Sequence, residues 1–173
     1  MPDHPLPDRV DRIEDEWRRE RPDLDPSPQG VIGRIHRLAL ALTAQLTPVY
    51  ETHGLSEAEF DLLASLRRSG APYELPAGEL ASHTMVTTGG LTKRVDRLHA
   101  RGLVERTVSS DDARRRMIRL TEVGRAVIDD AFTAHLANEH RLLGELGAED
   151  AAALEPILRR WLALLDEGDT RAR

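Results

Sequence analysis

The chain has 173 residues, of which 30 are acidic and 24 are basic, so its formal net charge is −6. It contains no cysteine, which excludes disulfides, thiolate catalysis and cysteine-based zinc sites. An acidic chain is also a poor candidate for coating DNA non-specifically, because neutralisation of phosphates supplies most of that binding. The N-terminus is acidic and proline-rich, and no apolar run approaches the length of a membrane helix, so we expect a cytoplasmic protein without membrane contact.

The first third of the chain is expected to form two helices. Residues 8–21 predict a short helix capped by Asp8, and its apolar stripe includes Trp17, which favours a core position for that side chain. Three prolines then mark a linker. Residues 29–52 predict a longer helix, which Pro48 should kink near its end. The apolar stripes are Val10, Ile13 and Trp17 in the first helix and Ile32, Ile35, Leu38, Leu42, Leu46 and Val49 in the second.

A compact helical unit follows. Residues 57–68 predict a third helix that begins with a capping box, in which Ser56 binds the third amide and Glu59 reaches back to the cap. Phe60, Leu63 and Leu66 should face inward. The next expected elements are a one-step strand at 73–75, a short helix at 76–80, a turn at 81–86 and a helix at 87–101.

Two strands and two long helices complete the predicted elements. Alternation of apolar and polar residues predicts a strand, a polar turn and a returning strand, after which Thr121 caps a helix. The last helix carries Pro156, which implies a kink or a later start, and its apolar stripe is too wide for one neighbour, so a partner chain should cover it. The bounds are 103–108, 109–114 and 117–120 for the ribbon, 122–143 for the next helix, which Gly144 and Gly147 end, and 149–166 for the last.

These elements predict a mainly α-helical fold with a small β ribbon, which is a winged helix-turn-helix within a helical dimerisation frame. We expect N-terminal dimerisation helices at 8–55, a DNA-binding domain at 56–121 and C-terminal dimerisation helices at 122–168. The chain should therefore work as a homodimer that binds double-stranded DNA.

The helix at 87–101 has the pattern of a DNA-recognition helix. Its leucines and valine share one face, which must point into the core, and small or hydroxyl side chains on the other face would let the helix enter a major groove. The stretch from 85 to 119 carries nine basic and four acidic residues, a local charge of +5 on an otherwise acidic chain. We expect Thr87, Thr88, Thr92 and Lys93 near the bases and Arg97 near the backbone; the alternative is an ordinary solvated amphipathic helix.

The turn of the ribbon places three arginines, Arg114, Arg115 and Arg116, at the tip of a loop. In a winged helix such arginines enter the adjacent minor groove, where narrow A·T tracts attract them. The alternative is a solvated loop, which is the usual fate of a charge run. One of the three is expected to pair with Asp112 and shape the wing.

The motif VTTGGLTKRVDRLHARGLVER at 86–106, followed by D-x-R at 112–114 and LT-x-x-G at 120–124, resembles the MarR family of winged-helix regulators. The extra N-terminal helix with Trp17, and the segments EFDLL at 59–63 and LRRSGAPYEL at 66–75, resemble a branch that responds to urate or to citrate and aconitate. The resemblance implies a transcriptional regulator, and we expect a repressor that a small anionic metabolite releases from its operator.

The same resemblance implies a ligand pocket formed by Trp17, Asp61, Arg94 and Arg106. From their spacing, Arg94 flanks the inward stripe of its helix and Arg106 leans inward with the apolar side chains of its strand. Asp61 falls opposite the inward residues of its own helix, so it is expected in solvent. Two arginines facing one aspartate would suit a planar anion or a polycarboxylate, which would displace Asp61 from Arg94 and shift the recognition helix.

Other functions find less support. His135 and Glu139 lie one helical turn apart and His140 follows, but no second cluster matches them, so surface or interface histidines are favoured over a metal site. No nucleophile–base motif or phosphate loop is present, so we expect neither catalysis nor a cofactor. The alternative from a different class is a helical adaptor whose wing contacts protein instead of DNA.

Overall fold

A computed structural model describes residues 6–84, 90–109, 112 and 115–171. Contacts divide the chain into two compact units, Met1–Pro48 and Val49–Arg173. The structure is mainly helical with a small antiparallel sheet, as the sequence predicts. The elements are α1 Arg9–Glu20, α2 Gln29–Thr52, α3 Glu57–Arg68, β1 Glu74–Pro76, α4 Leu80–His83, α5 Leu91–Ala100, β2 Val104–Val108, β3 Arg116–Leu120, α6 Glu122–Leu146 and α7 Ala148–Arg171.

In the first unit, α1 is joined to the N-terminal half of α2 by an arginine that binds two carboxylates. The N-cap predicted at Asp8 is confirmed, and Asp11 completes a capping box with it. The guanidinium of Arg34 donates to Asp8 at 2.9 Å and to Asp11 at 2.8 Å. This hydrogen bond from Arg34 holds the pKa of Asp11 below its ordinary value. Val10 is buried against Gly33, where a side chain would crowd it.

The core of the second unit is built around α3. The capping box predicted at its start is confirmed, because Ser56 Oγ accepts from the Glu59 amide and Glu59 accepts from the Ser56 amide. Helices α4, α5 and α6 and the sheet all pack against α3. The side chains predicted to face inward, Phe60, Leu63 and Leu66, are buried.

The sheet has three strands in the order β1-β3-β2, all antiparallel, where the sequence predicted a two-stranded ribbon. Arg119 in the central strand lies between Glu74 and Glu105 of its neighbours and donates to Glu74 at 2.8 Å. Pro76 belongs to β1 and pairs with Met117, so the short helix expected at 76–80 is wrong. A turn follows instead, and the helix runs over 80–83.

The residue that precedes β1, Tyr73, contacts two helices. Tyr73 has a φ of +63°, and its ring lies under the guanidinium groups of Arg67 and Arg125, which are 4.9 and 5.7 Å from its centroid. Arg67 belongs to α3 and Arg125 to α6. Cations over an aromatic ring are attracted by its quadrupole, so this tyrosine links both helices to the strand that follows it.

The junction between the sheet and α6 is tight. The N-cap predicted at Thr121 is confirmed, because its hydroxyl accepts from the Gly124 amide at 2.9 Å and donates to the Gly102 carbonyl at 2.7 Å. A Cβ placed on Gly124 would lie 1.9 Å from the Leu103 carbonyl oxygen. Glycine at this position therefore lets the first turn of α6 touch the chain that enters β2.

The predicted end of α6 at residue 143 is wrong, but Gly147 caps that helix as predicted and the last helix begins within one residue of its predicted start. Helix α6 passes through Gly144 and ends at Leu146, because one glycine costs a long helix only about 1 kcal/mol relative to alanine. Helix α7 begins at Ala148 and contains Pro156. Its apolar side chains are largely exposed in the single chain, and this group consists of Leu154, Ile157, Leu158, Leu162, Leu164 and Leu165. No helix among the described residues is both long and apolar enough to cross a membrane.

Candidate nucleic-acid interface and effector site

Helix α5 has one buried and one exposed face, as predicted. Val95 and Leu98 are buried, whereas Thr92, Lys93 and Arg97 are exposed. The exposed side chains follow at helical spacing, so they lie together on the surface of the second unit. This face combines a hydroxyl group with two cations, which suits contact with base edges and phosphates.

The start of α5 lies later than predicted. Gly90 is the N-cap and has a φ of +79°, a left-handed conformation that cannot continue a helix in the N-terminal direction. The first helical residue is Leu91, so the helix expected from residue 87 is shorter. Thr87 and Thr88, two of the residues predicted to contact DNA, lie outside the described residues.

Arg97 of α5 and Arg101, the residue that caps its C-terminus, share a buried carboxylate from α3. Arg97 Nε donates to Glu59 Oε1 at 3.0 Å, and Arg101 Nη1 lies 3.8 Å from Glu59 Oε2. Burial raises the pKa of Glu59, but hydrogen bonds from the Ser56 amide and from Arg97 outweigh it, so the pKa lies below its ordinary value. Glu59 is therefore ionised near neutral pH. This contact was not predicted from the sequence, although residues 59, 63 and 66 have the spacing of one buried helical stripe.

The wing arginines have separate positions. Arg114 lies outside the described residues. The guanidinium of Arg115 forms an ion pair with Glu79, and its amide donates to the Asp112 carbonyl at 2.9 Å, so this residue shapes the turn. The prediction that Arg116 lies at the loop tip is wrong, because it is the first residue of β3 and pairs with Val108.

Asp61 is 8% exposed, so the expectation that it lies in solvent is wrong. A helical wheel assumes a single buried face, whereas α3 has other elements packed on several sides, and its neighbour Leu62 is fully buried. Arg68 Nη1 lies 3.9 Å from Asp61 Oδ1 and forms an ion pair with it.

Arg106 is exposed, so the prediction that it leans inward is wrong. Strand β2 lies at an edge of the sheet, and burial falls along it from Val104, which is buried, to Val108, which is 45% exposed. Arg106 therefore lies beyond the part of the strand that the core covers. Its guanidinium forms an ion pair with Asp96 of α5, which ties the recognition helix to the wing.

The other two predicted ligand residues are Arg94 and Trp17. Arg94 is half-buried on α5, beside the inward stripe as predicted. Trp17 belongs to the first unit and is 47% exposed, so the expectation of a core position is wrong. It lies in the last turn of α1, whereas the bonds that join α1 to α2 in this unit involve Asp8 and Asp11 at the other end.

A cavity of about 320 Å³ lies between α5 and the wing. Its apolar walls come from α4, α5 and β3, and Thr92, Arg106 and Arg116 supply its polar groups. The lining is mainly apolar with two arginines among its residues, a composition that suits a small anion with an apolar body. The structure thus brings Arg106 together with Thr92 and Arg116, and neither Asp61 nor Arg94 lines this cavity.

The histidines considered for a metal site make other contacts. His135 Nε2 lies 3.2 Å from Glu139 Oε1, and its other ring nitrogen lies 3.3 Å from the Tyr50 hydroxyl. Within the described part of the chain, no group of three histidine or acidic side chains could hold a metal ion.

Comparisons with known proteins agree on one family. The sequence model of the MarR family matches residues 53–115. The chain is 38% identical to the HTH-type transcriptional regulator PecS of Dickeya dadantii over 151 residues, which cover 87% of this chain and 91% of that protein. It is also 26% identical to the HTH-type transcriptional repressor NicR of Pseudomonas putida over 143 residues, 80% of this chain and 89% of that protein.

Solved structures agree with these sequence matches. A mutant MarR from Escherichia coli complexed with operator DNA has a TM-score of 0.67 at 25% identity, and the match covers 84% of this chain and 97% of that one. AbsC, a MarR family transcriptional regulator from Streptomyces coelicolor, has a TM-score of 0.72 at 24% identity, over 83% of this chain and 97% of that one.

Proposed function

Since this chain belongs to the MarR family of winged-helix DNA-binding transcriptional regulators, which are not enzymes, we propose that it is a homodimeric repressor released from its operator by a small anionic metabolite. The observation that carries the proposal is the exposed face of α5, which presents Thr92, Lys93 and Arg97 while Val95 and Leu98 fix the helix in the core. The likeness to a MarR protein bound to operator DNA supports the same orientation.

In the proposed complex, α5 lies in the major groove. Thr92 and Lys93, together with Thr87 and Thr88 just before the helix, contact base edges, and Arg97 binds a backbone phosphate. Arg114 is our candidate for the minor groove, because Arg115 is held by Glu79 and the side chain of Arg116 lines the cavity.

The exposed apolar side chains on α2 and α7 support a dimer. Six large apolar residues of α7 are exposed in the single chain, and Leu38, Leu40 and Leu42 of α2 are exposed as well. A second copy would bury such surface, which a stable monomer rarely leaves in water. We assign dimerisation to 8–55 and 122–168 and DNA binding to 56–121. Two α5 helices would then read a pseudo-palindromic operator with half-sites about 34–36 Å apart.

The proposed effector is a small anion of the urate or citrate–aconitate type, and Arg106 is its main ligand. The ion pair between Arg106 and Asp96 joins the wing to α5, so an anion that competes for Arg106 would loosen that connection. Arg94, Asp61 and Trp17 stay candidate ligand residues on the strength of the family resemblance. A typical coupling free energy of about 1–3 kcal/mol would lower operator affinity about 5- to 150-fold.

Fluorescence anisotropy with a labelled duplex from the region upstream of the chain's own gene tests this function. We expect binding that resists competition by unrelated DNA and weakens steeply with salt, with a log–log slope of about −0.9 for each phosphate contact. Urate or citrate should weaken binding by the wild type but not by Arg106→Gln. Absence of duplex binding, with a protein partner instead, would favour a helical adaptor, and unchanged release in Arg106→Gln would refute the effector site.

A further inference from the structure

We propose that Glu59 is a positioning residue for DNA binding, which holds Arg97 of α5 in the orientation that a phosphate requires. The inference rests on the proposed DNA-binding function and adds a residue on another helix to it. Glu59 lies at the start of α3, remote in sequence from the recognition helix, and its side chain is 8% exposed.

The carboxylate of Glu59 has two tasks, and its two oxygens divide them. Oε2 accepts from the Ser56 amide at 3.1 Å, which completes the capping box of α3. Oε1 accepts from Arg97 Nε at 3.0 Å. A buried carboxylate must be paired, because an isolated charge in a protein interior is costly. The position of Glu59 is therefore fixed by the backbone of α3, and the position of Arg97 is fixed by Glu59.

Within the described residues, Glu59 binds Arg97 along the Nε edge of the guanidinium. The side chain of Arg97 is 57% exposed, and its hydrogen bond to Glu59 uses Nε. The two terminal Nη groups form the part of the guanidinium that binds a phosphate through two parallel hydrogen bonds. Lys93 lies one helical turn earlier and is also exposed, so the fixed guanidinium and the ammonium group share one face.

The two possible roles of Glu59 predict opposite changes in DNA affinity when its charge is removed. Removal of an acidic group close to DNA should strengthen binding if Glu59 only lowers the local positive charge. If Glu59 orients Arg97, its removal should weaken binding, because a free arginine must lose rotamer entropy when it meets the phosphate. The direction of the change therefore separates the two roles.

The experiment is a double-mutant cycle of Glu59→Gln and Arg97→Gln, with operator-region duplex affinity measured across a salt series. We expect each single variant to weaken binding about three- to tenfold. Only Arg97→Gln should make the salt slope shallower, by about 0.9, because it removes one phosphate contact, whereas Glu59→Gln keeps the arginine and its contact. The double variant should bind no more weakly than Arg97→Gln alone.

Ser56→Ala supplies the matched control, because it removes the other half of the capping box and leaves the Glu59–Arg97 pair in place. It should lower the melting temperature without changing the affinity for the duplex or the salt slope. Binding by Glu59→Gln that equals or exceeds that of the wild type would overturn the inference, whereas absence of salt-dependent binding by the wild type would overturn the proposed function itself.

Discussion

Replacement of Gly124 by alanine gives the sharpest test of the packing at the start of α6. The new Cβ would lie 1.9 Å from the Leu103 carbonyl oxygen, so the two must separate by about 1 Å merely to reach 3.0 Å. Thr121 resists that separation, because it binds the Gly102 carbonyl and the Gly124 amide at once. Helix propensity alone would make the alanine variant more stable by about 1 kcal/mol, whereas the clash with Leu103 predicts a loss of stability.

We expect Gly124→Ala to reduce the free energy of unfolding by about 2 kcal/mol, within the usual cost of overpacking. For a chain of this size that corresponds to a fall in melting temperature of about 4–8 °C. Gly144→Ala is the control within the same helix, because nothing lies within 4 Å of its Cβ, and it should be neutral or stabilising. Thermal unfolding followed by circular dichroism at equal protein concentration measures both variants. A Gly124→Ala protein as stable as the wild type would refute the reasoning.

Two further predictions concern ionisable groups. Burial raises the pKa of Tyr50 to about 12, so in a Tyr73→Phe background, which leaves one tyrosine, the phenolate absorbance should appear near that pH. A tyrosine in the unfolded chain ionises near pH 10, so the stabilisation from burying the neutral Tyr50 phenol should be complete below about pH 10 and be lost as pH rises towards 12. Phenolate formation near pH 10 would contradict the burial of Tyr50. Arg34→Gln should raise the pKa of Asp11 towards its ordinary value, as NMR titration of the carboxyl carbon would show. An unchanged Asp11 titration would mean that the link between α1 and α2 does not form in solution.

The features that the sequence predicts well are those set by neighbouring residues. Each of the three N-caps, Asp8, Ser56 and Thr121, needs only a side chain and an amide two or three residues later. The buried face of α5 follows from helical periodicity in the same way, and so does the pairing of two strands around a polar turn. Local chemistry therefore accounts for most of the fold.

The features that could not be predicted from the sequence depend on residues far away in the chain. Asp61 is buried because elements from both sides of the sequence cover α3, and Arg106 is exposed because its strand runs past the core at an edge of the sheet. Glu59 was recognised for its cap alone, since a capping box explains a glutamate at that position without any partner on α5. The candidate DNA face was thus predictable, but the contacts that orient its arginine were not.

The residues that flank α5 have a mechanical consequence. Gly90 and Gly102 lie just outside its two ends, both have positive φ, and a Cβ at either position would have no neighbour within 4 Å in the part of the chain that the structure describes. Each glycine thus holds a left-handed backbone conformation that residues with a side chain rarely adopt, and the Gly102 carbonyl is also bound by Thr121. Replacement of either glycine by a larger residue would therefore strain the backbone at an end of α5 and lower stability, although no described neighbour stands in the way of the new side chain.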